Sequence, residues 1–242
     1  MSSELIINSS RDKSRIGLLK DKKLVEFHQE SDETKFNVGD IYVGKVKKIN
    51  KSLNAAFIDI GFEKDAFLHY LDLGPQFLSL KSFVKNARGK GKVSYDSSKK
   101  LDDINKFGKI NEVLTKGDEI LIQVVKEPIS TKGPRVTTEL SLAGRYLILV
   151  SFSETINVSK KITKREERMR LINLIKSIRP KNFGVIVRTV AENKSVSELD
   201  KDLQSLTSIW KEGIKKIKKA KVGEKIIGEK NKATSLLRDI LN

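Results

Sequence analysis

Five short runs, rich in β-branched or aromatic residues and alternating in polarity, fill the middle of this chain: Val38–Val46, Ala55–Gly61, Asp65–His69, Gly117–Val124 and Arg135–Leu140. A period of two sends successive side chains to opposite faces of an extended strand, so each run can bury one face. Their number and spacing fit a small five-stranded Greek-key barrel of OB type. Between the third and fourth runs lies a polar, Lys-rich stretch, residues 76–113, with Arg88-Gly89-Lys90-Gly91-Lys92 at its centre. That composition reads as a long loop, functional or disordered.

The flanks have a different texture. Glu4–Ser9, Arg15–Leu19 and Leu24–Phe27 are short apolar runs, the second and third separated by a charged turn at Asp21-Lys22-Lys23. They read as an antiparallel meander, and three strands alone are too few for a stable core. After the barrel, Tyr146–Val150 reads as a buried strand. Thr163 with Glu166 reads as a capping box opening a helix from Lys164 to Ser177, stopped by Pro180. Gly184–Thr189 is a strand ending in a polar pair. Ser195 with Glu198 is a second capping box, and Leu199, Leu203, Leu206 and Trp210 follow at helical spacing. A basic tail runs from Lys215 to Lys221, and a last short helix is expected over Ser235–Leu241.

Charge narrows the partners. Lys and Arg number 48 against 31 Asp and Glu, a formal charge of +17, which points to polyanions. With no cysteine in the chain, disulfides, thiol catalysis and thiolate zinc sites are excluded, and the two histidines, His28 and His69, exclude a histidine-rich metal centre. No apolar run approaches the ~20 residues of a membrane span, and the N-terminus lacks a signal-peptide layout. The expectation is a soluble, cytoplasmic protein.

Three groups of residues could carry function. Phe57 and Phe67 lie on neighbouring barrel strands. Alternation gathers Ala56, Ile58 and Ile60 on one apolar face and leaves Phe57 on the other with Ala55 and Asp59, where a ring could stack on a base; the competing reading makes both rings core. Thr131-Lys132-Gly133-Pro134-Arg135 is a basic turn that could meet a phosphodiester backbone or simply be solvated. Arg188-Thr189, at the end of an apolar strand, offers a guanidinium beside a hydroxyl for a terminal phosphate, or is only a strand reaching water. No carboxylate pair forms a catalytic centre: Asp59 is on a half-exposed strand, Asp102-Asp103 in the loop, and Asp200 and Asp202 on the solvated face of a helix. Residues 89–92 lack the strand-to-helix setting of a nucleotide loop. Neither a catalytic residue nor a metal ligand is assigned.

Several blocks, weak singly, are specific together. Gly39–Val46, Ala55–Gly61 and Ala66–His69 resemble the S-one-type RNA-binding domain of the ribonuclease E/G family of bacterial endoribonucleases. Lys126–Thr138, Ser141–Leu147 and Gly184–Thr189 are similar to further blocks of that family. The resemblance implies an α+β chain in which a five-stranded OB-fold barrel is inserted in a split ribonuclease H-like subdomain. Residues 1–35 would be the first piece of that subdomain, 36–142 the barrel with the basic insertion 76–113, 143–212 a small α/β 5′-sensor subdomain, and 213–242 the incomplete second piece. It implies that Phe57, Phe67 and Lys132 contact RNA, and that Arg188 and Thr189, with the backbone at Ile148 and Gly144, hold a 5′-monophosphate. Lys160 stands where the family usually has Arg, giving a point charge in place of a bidentate fork. The family's magnesium-binding aspartates and its zinc-binding cysteines match nothing in these 242 residues. The expectation is therefore the RNA-binding, 5′-end-sensing part of a single-strand endoribonuclease of rRNA processing and mRNA decay. No cofactor is expected in this chain, since magnesium would accompany the catalytic subdomain. The competing expectation is a stand-alone OB-fold RNA-binding module without enzymatic activity.

Overall fold

The computed structural model describes residues 2–9, 13–31, 36–89 and 94–228. By contact the chain divides into two units, residues 1–37 with 229–242, and Val38–Gly228. In the first unit, β1 (Ser3–Ser9), β2 (Lys13–Lys20) and β3 (Lys23–Ser31) form the expected antiparallel meander in the order β1-β2-β3. Asp21 and Lys22 have φ of 49° and 64°, so a two-residue turn joins β2 to β3 with the twist that hairpins favour.

The second unit opens with the barrel: β4 (Ile41–Asn50), β5 (Ala55–Asp59), β6 (Ala66–His69), β7 (Glu119–Lys126) and β8 (Arg135–Thr137). The order is β4-β5-β6-β8-β7, and β7 pairs back onto β4 to close the ring. Only the β6–β8 pairing is parallel, so the fold is an α+β chain built on a closed, mixed, OB-like barrel. Val46, Ile58, Leu68 and Ile122 are buried, as the period-two pattern requires. Ile41, Val43 and Leu121, on the alternate positions, are buried too, because helices cover that side.

One of those helices lies in the stretch expected to be a loop. Residues 76–113 contain α1 (Phe77–Arg88) and the single turn α2 (Ile110–Val113). Phe77, Leu80, Phe83 and Val84 of α1 are buried at helical spacing. The intervening Lys and Arg hid this stripe, yet two of them fasten the helix. Lys81 donates to the Asp118 carboxylate at 2.6 Å and to Val113 O at 2.9 Å. Arg88 donates to Ile217 O and Ala220 O, closing the end of a later helix. Downstream, the ring of Tyr95 lies against Phe83, Phe152, Phe183 and Trp210 at centroid distances of 4.7–5.5 Å. Its hydroxyl donates to Asn182 O and accepts from Phe152 N, and burial pushes its pKa up. The Lys90–Lys92 part of the basic run lies outside the described residues, as does the helix expected over Ser235–Leu241.

A second sheet follows, made of β9 (Ser141–Ala143), β10 (Leu147–Ser151), β11 (Ile156–Val158) and β12 (Phe183–Val187) in the order β11-β12-β10-β9. Helices α3 (Arg165–Ile178) and α4 (Val196–Ile217) pack on it, α3 against β11 and α4 against β9 and β10. The Ser195–Glu198 capping box forms as the sequence indicates. The Thr163–Glu166 box does not: the helix starts one residue later, at an N-cap of Lys164 that makes no side-chain cap. Helix α4 runs through residue 213, the expected boundary, and β13 (Lys225–Ile227) returns to pair with β4. Residues 213–228 therefore belong with the barrel unit.

Candidate nucleic-acid interface

Strands β5 and β6 carry the first candidate surface. Ala56, Ile58, Ala66 and Leu68 point inward and are buried, so the alternating Phe57 and Phe67 must point outward, where both are half-exposed. They are direct cross-strand partners, with ring centroids 5.9 Å apart in an edge-to-face arrangement of 70°. Neither ring is a core residue. His69, two positions beyond Phe67 on the same face, has its ring 6.5 Å from that of Phe67 and tilted by 31°. Its Nδ1 accepts from Leu71 N, which in the neutral ring leaves the proton on Nε2.

Cations border this row. Lys48 is the register partner of Phe57 on β4 and is exposed. Arg135 is the partner of Phe67 on β8. It is not a loose charge: its guanidinium donates to both Asp72 oxygens, at 2.9 and 3.0 Å, and that bond raises its pKa. Lys132 is exposed in the turn before β8. The turn is held by mutual Ile129–Lys132 backbone bonds, by Lys64 donating to Ser130 O at 2.8 Å, and by Phe67 N donating to Pro134 O at 2.8 Å. The structure thus brings Phe57 and Phe67 together with Lys48 and Arg135 as register partners, and places Lys132 in the turn that leads into β8.

The second candidate lies on the other sheet. Arg188 and Thr189 follow Val187, the last residue of β12, and buried Val185 and Val187 fix where the chain emerges. Arg188 is half-exposed, and its Nη1 donates to Gly144 O at 2.9 Å. The Thr189 hydroxyl lies 2.9 Å from that of Ser159, at the end of β11, so one of the two hydroxyls donates to the other. Ile148 sits on an inner strand, paired with Ala143 on one side and Ile186 on the other. Backbone there is engaged within the sheet, and what Ile148 offers outward is its half-buried side chain. The Gly144 amide is engaged too, donating to Leu147 O at 2.7 Å. Arg188 is therefore tied to Gly144, and Thr189 to Ser159, a residue the sequence did not single out, while Ile148 lies on the strand paired with β12. Lys160, the next residue, is exposed.

Asp202 also departs from expectation. Instead of lying on a solvated helix face, its carboxylate accepts from the backbone amides of Arg145, Tyr146 and Leu147 at 2.9–3.1 Å. It anchors the turn that presents Gly144 O to Arg188. A side chain at 144 would collide with it, since a Cβ there would lie 2.5 Å from an Asp202 oxygen. Beside this turn the Tyr146 ring lies under Arg145 at 5.3 Å and Lys194 at 5.6 Å. Among the described residues no group of His, Asp or Glu is placed to hold a metal ion, and no helix is long and apolar enough to cross a membrane.

The Ribonuclease E/G family model matches residues 141–242, which include this second sheet. Over 238 residues, 98% of this chain, the sequence is 33% identical to ribonuclease G of Haemophilus influenzae. The chain belongs to the ribonuclease E/G family. Ribonuclease G of Escherichia coli K12 is 31% identical over 239 residues, 99% of this chain. Ribonuclease E of Synechocystis is 38% identical over 174 residues, 72% of this chain and 22% of its own length. The chain spans 45% of the length of each of these two ribonucleases G.

Proposed function

We propose that this chain is the RNA-binding and 5′-end-recognising part of a single-strand endoribonuclease, in the cytoplasm, of the kind that matures rRNA and degrades mRNA. The observation that carries this reading is the outward Phe57–Phe67 pair on a closed OB-like barrel, bordered by Lys48 and Arg135, with Lys132 exposed in the turn before β8. Unpaired bases can lie on such rings, while lysines follow the phosphates without reading sequence. A duplex keeps its bases stacked on one another and cannot use the rings in this way.

The Arg188–Thr189 corner supplies the second half. Donation to Gly144 O holds the guanidinium in place. In the Ser159–Thr189 pair, the Ser159 oxygen also accepts from Lys161 N. If Ser159 donates onward to Thr189, the Thr189 proton can turn to an anion. A terminal phosphate has more charge and more open oxygens than an internal one, and a charged donor beside a hydroxyl favours it. The resemblance to the family assigns hydrolysis to a magnesium-binding subdomain. Among the described residues, the acidic side chains are not grouped to hold that metal.

The test is fluorescence anisotropy with labelled single-stranded and duplex RNA of one sequence. Single strands should bind more tightly. Phe57→Ala should weaken their binding by ~1–3 kcal/mol with the melting temperature unchanged. A folded Phe57→Ala variant that binds single strands as the parent does would refute the stacking role.

A further inference from the structure

Phe107 is the most exposed large apolar side chain among the described residues, at 89%. A single exposed apolar residue is ordinary on a protein surface. What is not ordinary is how firmly the backbone under this one is fastened. Residues Asn105–Gly108 form a turn closed by Gly108 N donating to Asn105 O at 3.0 Å, with Phe107 N donating to the Asn105 side chain at 2.9 Å. Tyr70 OH donates to Asn105 O at 2.5 Å, and Asn54 Nδ2 donates to Gly108 O at 3.1 Å. Asn54 Oδ1 accepts from Ile110 N at 2.7 Å. Every polar group named here holds the turn still while the ring stands in solvent.

The place where the turn is fastened matters as much. Asn54 immediately precedes β5 and Tyr70 immediately follows β6, and Tyr70 N donates to Asn54 O. This is the end of the two strands toward which the outward row runs, from Phe57 and Phe67 to His69. At ~3.3 Å per residue, Tyr70 lies ~10 Å along the strand from Phe67, a reach that a strand of a few nucleotides covers. Exposed Lys51, Lys106 and Lys109 lie around the junction with one acid, Glu112, whose carboxylate accepts from Lys109 N, so cations outnumber anions there, as a polyanion partner requires.

We infer that Phe107 is a further base-stacking contact for single-stranded RNA, extending the row of Phe57, Phe67 and His69 across the Asn54–Tyr70 junction. This rests on the RNA-binding reading above and lengthens the footprint it assigns. A rigid turn presents the ring already ordered, so stacking costs little conformational freedom on binding.

The test uses the 242-residue chain and 5′-hydroxyl oligouridylates of about 4 and about 12 nucleotides, the span one OB fold covers. Phe107→Ala should bind the longer strand at least about fivefold more weakly than the parent does. It should leave the shorter strand, which fits on Phe57 and Phe67 alone, unchanged. Phe107→Trp, which keeps a stacking ring, should restore the longer strand's affinity, and both variants should melt like the parent. Parent-like binding of the longer strand by Phe107→Ala, with Phe57→Ala impaired, overturns this inference and leaves the RNA-binding reading standing. A change in self-association with RNA affinity unmoved would make Phe107 a protein contact and overturn it too. If neither oligonucleotide binds the parent, both readings fall together.

Discussion

Arg188 illustrates how one residue can be both structural and functional. Its backbone amide donates to Tyr146 O, and its guanidinium holds Gly144 O. Removing the side chain leaves the backbone pairing intact, because that uses main-chain atoms only. Arg188→Ala should therefore keep the fold but abolish any preference for a 5′-monophosphate, worth ~1.5–3 kcal/mol for a charged hydrogen bond. Competition between two oligonucleotides that differ only in a 5′-phosphate or 5′-hydroxyl end checks this. Equal affinities of the parent for both ends would remove the sensor role. Thr189→Val, which keeps shape and loses the hydroxyl, should reduce the preference less than Arg188→Ala does.

At the scale of elements, the N-terminus of α4 is built from one short motif. Ser195 Oγ accepts from Glu198 N, and the Glu198 carboxylate accepts from Ser195 N at 3.0 Å and from its hydroxyl at 2.9 Å. These bonds favour the charged carboxylate, the backbone bond most, and lower the Glu198 pKa to about 2. A folded-state pKa below the ordinary 4.5 adds stability above pH 4.5 that disappears as the pH falls through about 2. Glu198→Gln should therefore melt slightly below the parent near neutral pH, and the gap should narrow as the pH drops below about 4.5. A gap that is constant with pH would mean the charge contributes nothing. This motif was legible in the sequence because Leu199, Leu203, Leu206 and Trp210 follow it at helical spacing and fix where the helix starts, whereas the same spacing at Thr163 and Glu166 forms no box. The outward Phe57 was legible for a similar reason, since strand alternation is strict. Helix α1 was not, because Lys81, Lys85 and Arg88 punctuate its apolar stripe and their partners, Asp118, Ile217 and Ala220, lie far along the chain. The Asp202 anchor was hidden for the same reason: a carboxylate on a helix looks solvated until the amides it meets are known.

Across the whole molecule, the barrel and the second sheet share one core, and the segment after α4 completes it. Ile217, Ala220, Ile226 and Ile227 are all buried, and Ile227 fills the space left by Gly213, where a Cβ would lie 2.3 Å from it. Lys225 reaches Asp40, a carboxylate with 0% exposure, at 3.1 Å, and Tyr42 OH donates to the same oxygen. Cutting the chain at the boundary the family resemblance implied, after residue 212, would strip these residues away and leave Asp40 buried without its lysine. Burial of each large aliphatic side chain contributes ~1.5–3 kcal/mol, so losing three isoleucines alone rivals the 5–15 kcal/mol by which a typical domain is stable. Residues 38–228 expressed alone should therefore melt cooperatively and bind single-stranded RNA, whereas residues 38–212 should melt far lower or not fold at all. Circular-dichroism melts of the two segments decide between these boundaries. Equal melting temperatures would mean that the return of β13 to β4 is dispensable, and that the barrel and second sheet are closed without it.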